Sequence, residues 1–199
     1  MYPIIKRIID FILSLLGLII LSPLFLVIAI WIKVDSPGPI FFKQKRVGQN
    51  KELFEIYKFR TMRSDTPSDM PTHLLGDPAA FITNSGAFLR KTSLDELPQL
   101  INIIKGQMAV IGPRPALWNQ DDLVAERDKY KANDILPGLT GWAQVNGRDE
   151  LPIPTKAKLD GEYIEQMSFA MDVKCFFLTI KSVISSDGVS EGWNEDKNE

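Results

Sequence analysis

The chain opens on one long apolar run and only afterwards takes up the alternation and helical spacing of a globular domain. Phe11 to Ile32 is 22 residues without a charge, enough as a straight helix to cross about 30 Å of hydrocarbon. The run is too long for a signal peptide, and no small-residue cleavage site follows it. Ser22-Pro23 interrupts its middle. Proline there removes a backbone hydrogen bond and crowds the preceding turn, and the serine hydroxyl can take up a group so released. Lys6 and Arg7 precede the run, and Lys33, Lys43, Lys45, Arg46 and Lys51 follow it. Positive flanks are retained in the cytoplasm. Residues 1–34 are therefore expected to form a helix that breaks at Ser22-Pro23 and re-enters the leaflet it came from; a kinked spanning helix is the alternative.

Beyond the run, Asp35-Ser-Pro-Gly-Pro39 ends helical structure. Ile40–Val47 and Leu53–Met62 read as two strands around a Gly48-Gln49-Asn50-Lys51 turn, which predicts a hairpin. Residues 64–80 hold three prolines and few apolar side chains, a loop or lid. Helices are expected over Leu97–Ile104, stopped by Gly106; over Asp121–Ala132, a charged and solvated surface; over Thr155–Met167; and over 169–185, capped by Ser168. The last carries Phe176, Phe177, Ile180 and Ile184 with Lys174 and Lys181. Core packing of that face is expected in preference to the membrane interface. The fold class is α+β and mostly helical: a small globular domain with a β-hairpin and an N-terminal proline-broken re-entrant membrane helix, plus amphipathic helices at the membrane interface. Residues 35–188 form the catalytic domain and 189–199 a polar tail.

Charge sharpens this picture. The net charge is −2, but residues 1–63 carry 10 Lys+Arg against 4 Asp+Glu, and residues 64–199 carry 13 against 21. A basic half beside an apolar segment suits anionic headgroups or phosphorylated substrates. No nucleic acid partner is expected, because aromatic residues are not interleaved with the basic ones. A lone Cys175 excludes an intramolecular disulfide, and with His73 the only histidine a zinc site of thiolate and imidazole ligands is not expected.

The candidate chemistry lies between Arg90 and Pro115. Asp95-Glu96 offers one carboxylate as a nucleophile and another to hold a divalent cation. Ser93-Leu-Asp-Glu96 also matches a capping box. In that register Pro98 would fall where the helix needs an N–H donor; a helix starting at Asp95 places the proline in the first turn instead. Arg114 lies between Pro113 and Pro115, on a stiff loop suited to presenting a guanidinium to phosphate. Arg90 and Arg148 are further candidates. Pro137 to Arg148 is a loop dense in glycine and hydrogen-bonding side chains.

With these residues in place the chain resembles the monotopic phosphoglycosyl transferases, or bacterial sugar transferases, in their minimal catalytic form. Lys6-Arg7-Ile-Ile-Asp-Phe11, Ser22-Pro23, Lys58-Phe-Arg-Thr-Met62, Ser93-Leu-Asp-Glu-Leu97, Gly112-Pro-Arg-Pro115 and Pro137-Gly-Leu-Thr-Gly-Trp-Ala-Gln-Val-Asn-Gly-Arg148 occur in the family's order over roughly Tyr2 to Gly188. The resemblance implies ping-pong transfer of a sugar phosphate from a UDP-sugar to a polyprenol (undecaprenyl) phosphate, with release of UMP, at the cytoplasmic face of a bacterial inner membrane. It implies Asp95 as nucleophile, Glu96 with Asp95 at Mg2+, and Arg90, Arg114, Arg148, Lys58, Arg60, Pro113 and Pro115 at the substrates. It also implies Lys6, Arg7, Ser22 and Pro23 as membrane determinants. A metal-dependent phosphodiesterase and a non-enzymatic membrane adaptor are the competing readings. Sequence leaves the sugar and the oligomeric state open, a homodimer included.

Overall fold

The computed structural model describes residues 2–66, 78–147 and 151–184. Helix α1 (Tyr2–Asp35) takes in the whole apolar run, and its 34 residues span about 51 Å at 1.5 Å per residue. The expected break is a repaired defect. Helical backbone continues through Pro23. Proline cannot donate to the Ile19 carbonyl four residues back, and Ser22 Oγ donates to that oxygen instead, at 2.8 Å.

One stripe of α1 faces the rest of the protein from end to end. Lys6, Asp10 and Ser14 are buried near its start and Ile28 and Ile32 near its end, at the four-residue spacing that puts side chains on one helix face. The remainder of the circumference is apolar and uncovered, with Ile20 72% and Val34 80% exposed. An apolar surface this long is a membrane-contacting one. Lys6 and Arg7, the positive flank that precedes the apolar run, hold the helix to the domain. Lys6 Nζ lies 2.7 Å from Asp172 and 3.3 Å from Asp10, and Arg7 donates to the carbonyls of Ile103 and Ile104.

Strands β1 (Phe41–Val47) and β2 (Leu53–Phe59) form the predicted antiparallel hairpin, with Phe41 opposite Phe59 and Val47 opposite Leu53. Asn50 and Lys51 take left-handed backbone in its turn. Helix α2 (Asn84–Lys91) has no counterpart in the sequence reading. It is short and polar, and Thr83 caps it by accepting from the Gly86 amide at 3.0 Å. A 3-10 turn, Leu94–Glu96, then leads into α3 (Gln99–Ile104).

Two further strands escaped the pattern because three residues carry no period. They are β3 (Ala109–Ile111) and β4 (Gly138–Thr140), paired in parallel. Their register needs glycine: a Cβ on Gly138 would sit 2.1 Å from the Gly112 nitrogen. The charged helix α4 (Asp121–Asp128) is shorter than expected and is not simply a solvated face. Its Arg127 is buried and pairs with Asp160 at 2.7 Å. Asp160 belongs to α6 (Ile153–Glu165), which follows the short α5 (Trp142–Val145).

Helix α7 (Phe169–Ile184) begins where expected, with Ser168 Oγ accepting from the Met171 amide. Its apolar face, however, does not enter the core. Phe176 is 49% and Phe177 65% exposed, and Ile180 is exposed as well; Met171 and Cys175 are the side chains it buries. Met171 and Cys175 pack with Ile111 and Tyr163. A second apolar cluster joins Ile28 and Ile32 of α1 to Phe59 and Leu89, with Leu94 and Leu97 packed against it. The polar tail, Arg148 and most of the 64–80 loop lie outside the described residues.

Candidate active site

The site is built on the turn at Asp95-Glu96. Leu94 and Leu97 are drawn into the apolar cluster formed with α1. The two acidic residues between them therefore turn toward a cavity of about 280 Å3 that both line. Ser93 does not close a capping box. It takes left-handed backbone (φ 56°) and makes no side-chain cap hydrogen bond. Pro98 stands at the N-cap of α3, so its missing N–H costs nothing there. Neither expected register is observed: a 3-10 turn over Leu94–Glu96 precedes the proline, and α3 proper starts at Gln99.

Among the described residues, three cations line the same cavity. Lys58, at the end of β2, places Nζ 2.8 Å from Glu96 Oε1 and 3.7 Å from Asp95 Oδ2. Arg114 reaches Glu96 Oε1 at 3.2 Å. Arg90, in the last turn of α2, lines the cavity and donates from Nε to Thr61 Oγ1 at 2.9 Å. Burial would push the Glu96 carboxyl up, but Lys58 and then Arg114 overcome it and hold the group well below the usual carboxylate range. Asp95 is 8% exposed.

The Gly112-Pro-Arg-Pro115 loop is held through its backbone. Pro113 O accepts from the Gly138 amide at 2.8 Å, Arg114 O from Arg127 at 2.9 Å and Pro115 O from Arg46 at 3.1 Å. Pro113 and Pro115 are buried; they stiffen the loop, and neither lines the cavity. Arg127 is fixed in turn by Asp160. This brace was not legible, because Arg127 and Asp160 lie 33 positions apart on helices that look solvent-facing.

Arg60 is not at the site. It is buried at the end of α1, where its guanidinium donates to the Ile32, Ser36 and Pro37 carbonyls. It ties the membrane helix to β2. Arg148 lies outside the described residues. The structure thus brings Lys58, Arg90, Asp95, Glu96 and Arg114 together and takes Arg60 away.

The opposite chemistry meets these charges in one cavity. Phe176, Ile180 and Val183 of α7 and Leu139 and Val145 also line it. Thr140 and Thr179 share a 2.8 Å hydroxyl contact there, which joins β4 to α7. Gln144 lines it too, and its Oε1 is buried without a partner among the described residues. Thr140 and Gln144 fall within the loop that its hydrogen-bonding residues had marked out; Thr179, on an apolar helix, gave no signal.

A divalent cation is a fair match for this donor set. Two adjacent carboxylates supply hard oxygen ligands, and no group of three or more His, Cys, Asp or Glu gathers among the described residues. Mg2+ is characteristically held by one or two carboxylates, with waters and substrate phosphates completing the shell.

A cation-lined carboxylate pair in a protein with an apolar membrane-contacting surface points to a membrane-associated enzyme. The chain belongs to the bacterial sugar transferase family, whose model matches residues 1–186, and it is a transferase. It is 37% identical over 188 residues to the protein called Uncharacterized sugar transferase EpsL of Bacillus subtilis, covering 94% of this chain and 91% of that one. It is 39% identical over 196 residues to the Exopolysaccharide production protein PSS of Rhizobium leguminosarum, covering 92% and 96%. It is 38% identical over 189 residues to the UDP-glucose:undecaprenyl-phosphate glucose-1-phosphate transferase of Escherichia coli, covering 88% of this chain but 39% of that one.

Proposed function

We propose that this enzyme moves a sugar-1-phosphate from a UDP-sugar to a polyprenol phosphate such as undecaprenyl phosphate, through an aspartyl intermediate. The observation that carries the reading is the cavity itself: Asp95 and Glu96 lie beside Lys58, Arg90 and Arg114 at one side and the apolar wall of α7 at the other. Relatives named for glucose and for galactose fall in the same family, so the reading stops at a UDP-hexose.

In the first half-reaction an Asp95 carboxylate oxygen attacks the phosphorus that bears the sugar. The bond from that phosphorus to the UMP oxygen breaks, and UMP leaves with the electron pair. A carboxylate is the nucleophilic form at neutral pH, so no general base is needed. In the second half-reaction an oxygen of the lipid phosphate attacks the same phosphorus. The bond to Asp95 breaks and the carboxylate is regenerated. Each attack brings anion toward anion, and Lys58, Arg90 and Arg114 offset that repulsion where it develops. Glu96, with Asp95, would hold Mg2+, whose chemistry is to screen the diphosphate charge.

Isotope exchange between UMP and UDP-sugar, run without acceptor, tests this. The wild-type protein should exchange label, Asp95→Asn should not, and mass spectrometry of trapped protein should place the sugar phosphate on Asp95. Lipid product without exchange would make the transfer direct. UMP and sugar phosphate released without lipid would make the protein a phosphodiesterase.

Both ends of α1 are held by one domain: Tyr2 and Lys6 by Asp172, and Asp35 by Ser85. A spanning helix would carry those ends to opposite faces and drag a polar domain through hydrocarbon. The enzyme is therefore read as monotopic, on the cytoplasmic face. Ile5→Cys and Val34→Cys should label from the same side; labelling from opposite sides refutes it.

A further inference from the structure

Helix α7 carries an apolar stripe that the chemistry above does not use. Phe169, Val173, Phe176 and Ile180 follow the i, i+4, i+7, i+11 spacing of a single helix face, over about 16 Å. Phe169 is 60%, Phe176 49% and Ile180 40% exposed. The two ends of the stripe differ. Phe176 and Ile180 belong to the wall of the cavity that holds Asp95 and Glu96. Phe169 lies beyond the cavity, in the turn where Asp172 accepts from Tyr2 and Lys6 at the start of α1. The stripe thus leads out of the charged cavity toward the helix that sits in the membrane.

Its position is firmly set. Asp172 also accepts from Tyr163 at 2.7 Å, Thr179 joins Thr140, and Met171 and Cys175 are buried on the other side of the helix. The exposed aromatic side chains are held on a rigid element and are not a frayed end.

We propose that this stripe seats the hydrocarbon of the acceptor: the first isoprene units of the lipid phosphate lie along Phe169, Phe176 and Ile180 while its phosphate meets the cations at Asp95. The inference rests on the transferase reading of the same cavity. Of the two substrates, only the acceptor joins a phosphate to a long apolar chain, and only a ligand of that kind uses the continuity between cavity and stripe. The donor is polar throughout and would gain nothing from Phe169, which lies outside the cavity.

The test compares undecaprenyl phosphate with geranyl phosphate as acceptors, in detergent micelles at fixed mole fraction, for wild type, Phe169→Ala, and Phe176→Ala with Ile180→Ala. All three positions are surface-exposed, and thermal melts check that the variants fold. Truncating side chains that bury against a ligand should raise KM for undecaprenyl phosphate on the order of ten- to a hundredfold. The KM for geranyl phosphate should rise much less in Phe169→Ala, because a short chain ends before that residue. Phe176→Leu should keep the wild-type preference for the long acceptor. Equal effects of Phe169→Ala on both acceptors would overturn the assignment, as would UMP exchange falling in step with acceptor use in Phe169→Ala. Variants that instead fail to float with acceptor-free phosphatidylglycerol vesicles would make α7 a bilayer anchor and overturn it as well. A wild-type protein that neither exchanges UMP nor makes lipid product removes the transferase reading, and this inference falls with it.

Discussion

Replacing Lys58 with methionine is the sharpest probe of how the acidic pair is held. Lys58 Nζ is 2.8 Å from Glu96 Oε1, an attraction of about 6 kcal/mol at an effective dielectric near 20. Both side chains are mostly buried, 16% and 19% exposed, and removing the ammonium relieves its own desolvation of several kcal/mol. Arg114 stays on the same oxygen at 3.2 Å. The net loss is therefore about 2–3 kcal/mol, toward the low end for breaking a buried pair. Urea unfolding of detergent-solubilised Lys58→Met, followed by tryptophan fluorescence, reads that loss, and a double-mutant cycle with Glu96→Gln isolates the coupling of the pair. The pH dependence has a defined sign. The folded-state pKa of Glu96 is depressed, so the stabilisation is fully present above the ordinary glutamate value of about 4.3 and is lost as pH falls below it. The coupling should be level from about pH 6 to 8 and vanish in acid. A coupling under about 0.5 kcal/mol, flat with pH, is what solvated surface pairs give, and it would refute an electrostatically prearranged Glu96.

Further outcomes follow from the same geometry. Lys6→Met leaves Asp10 and Asp172 without their shared amine and should cost about 3 kcal/mol in urea unfolding; an unchanged midpoint would contradict the packing of α1 on α7. Because Glu96 stays charged far into acid, it should give the pH profile of UMP release no acid limb above about pH 4, and a wild-type limb above pH 5 that Lys58→Met raises would count against its assigned state. Chelation by EDTA should abolish UMP release and Mg2+ should restore it, with Glu96→Gln needing more Mg2+; activity indifferent to EDTA would remove the metal from the proposal. Burial pushes the Cys175 thiol up to about 11, so maleimide at pH 8 should label it slowly in the native protein and rapidly in urea.

The hairpin and helices α3, α4, α6 and α7 were legible because each has a period or a stop signal of its own. Pro98 correctly spoke against a helix capped by Ser93, since a missing N–H is a local fact, but α3 starts at Gln99 and not at Asp95. What could not be read were pairings between distant segments. The three-residue strands β3 and β4 exist because Gly112 and Gly138 let two backbones meet. Arg60 and Lys58 sit two residues apart, a spacing that shares one face within a strand, but β2 ends at Phe59 and Arg60 turns instead to the end of α1. The partners of Lys6 and Arg7, Asp172 and the end of α3, could not be read because they lie far along the chain. The exposed face of α7 was misread for a related reason: an apolar helix face announces that something covers it, and does not say what.

The packing of Leu94 and Leu97 against Ile28 and Ile32 means that the anchor is also a foundation stone. A truncated protein beginning after Asp35 would lose the support beneath Asp95 and lay Phe59 and Leu89 open to water. Attempts to obtain a soluble, active version by deletion should yield aggregates, and solubility would have to be engineered on the lipid-facing side of α1 with the helix kept in place.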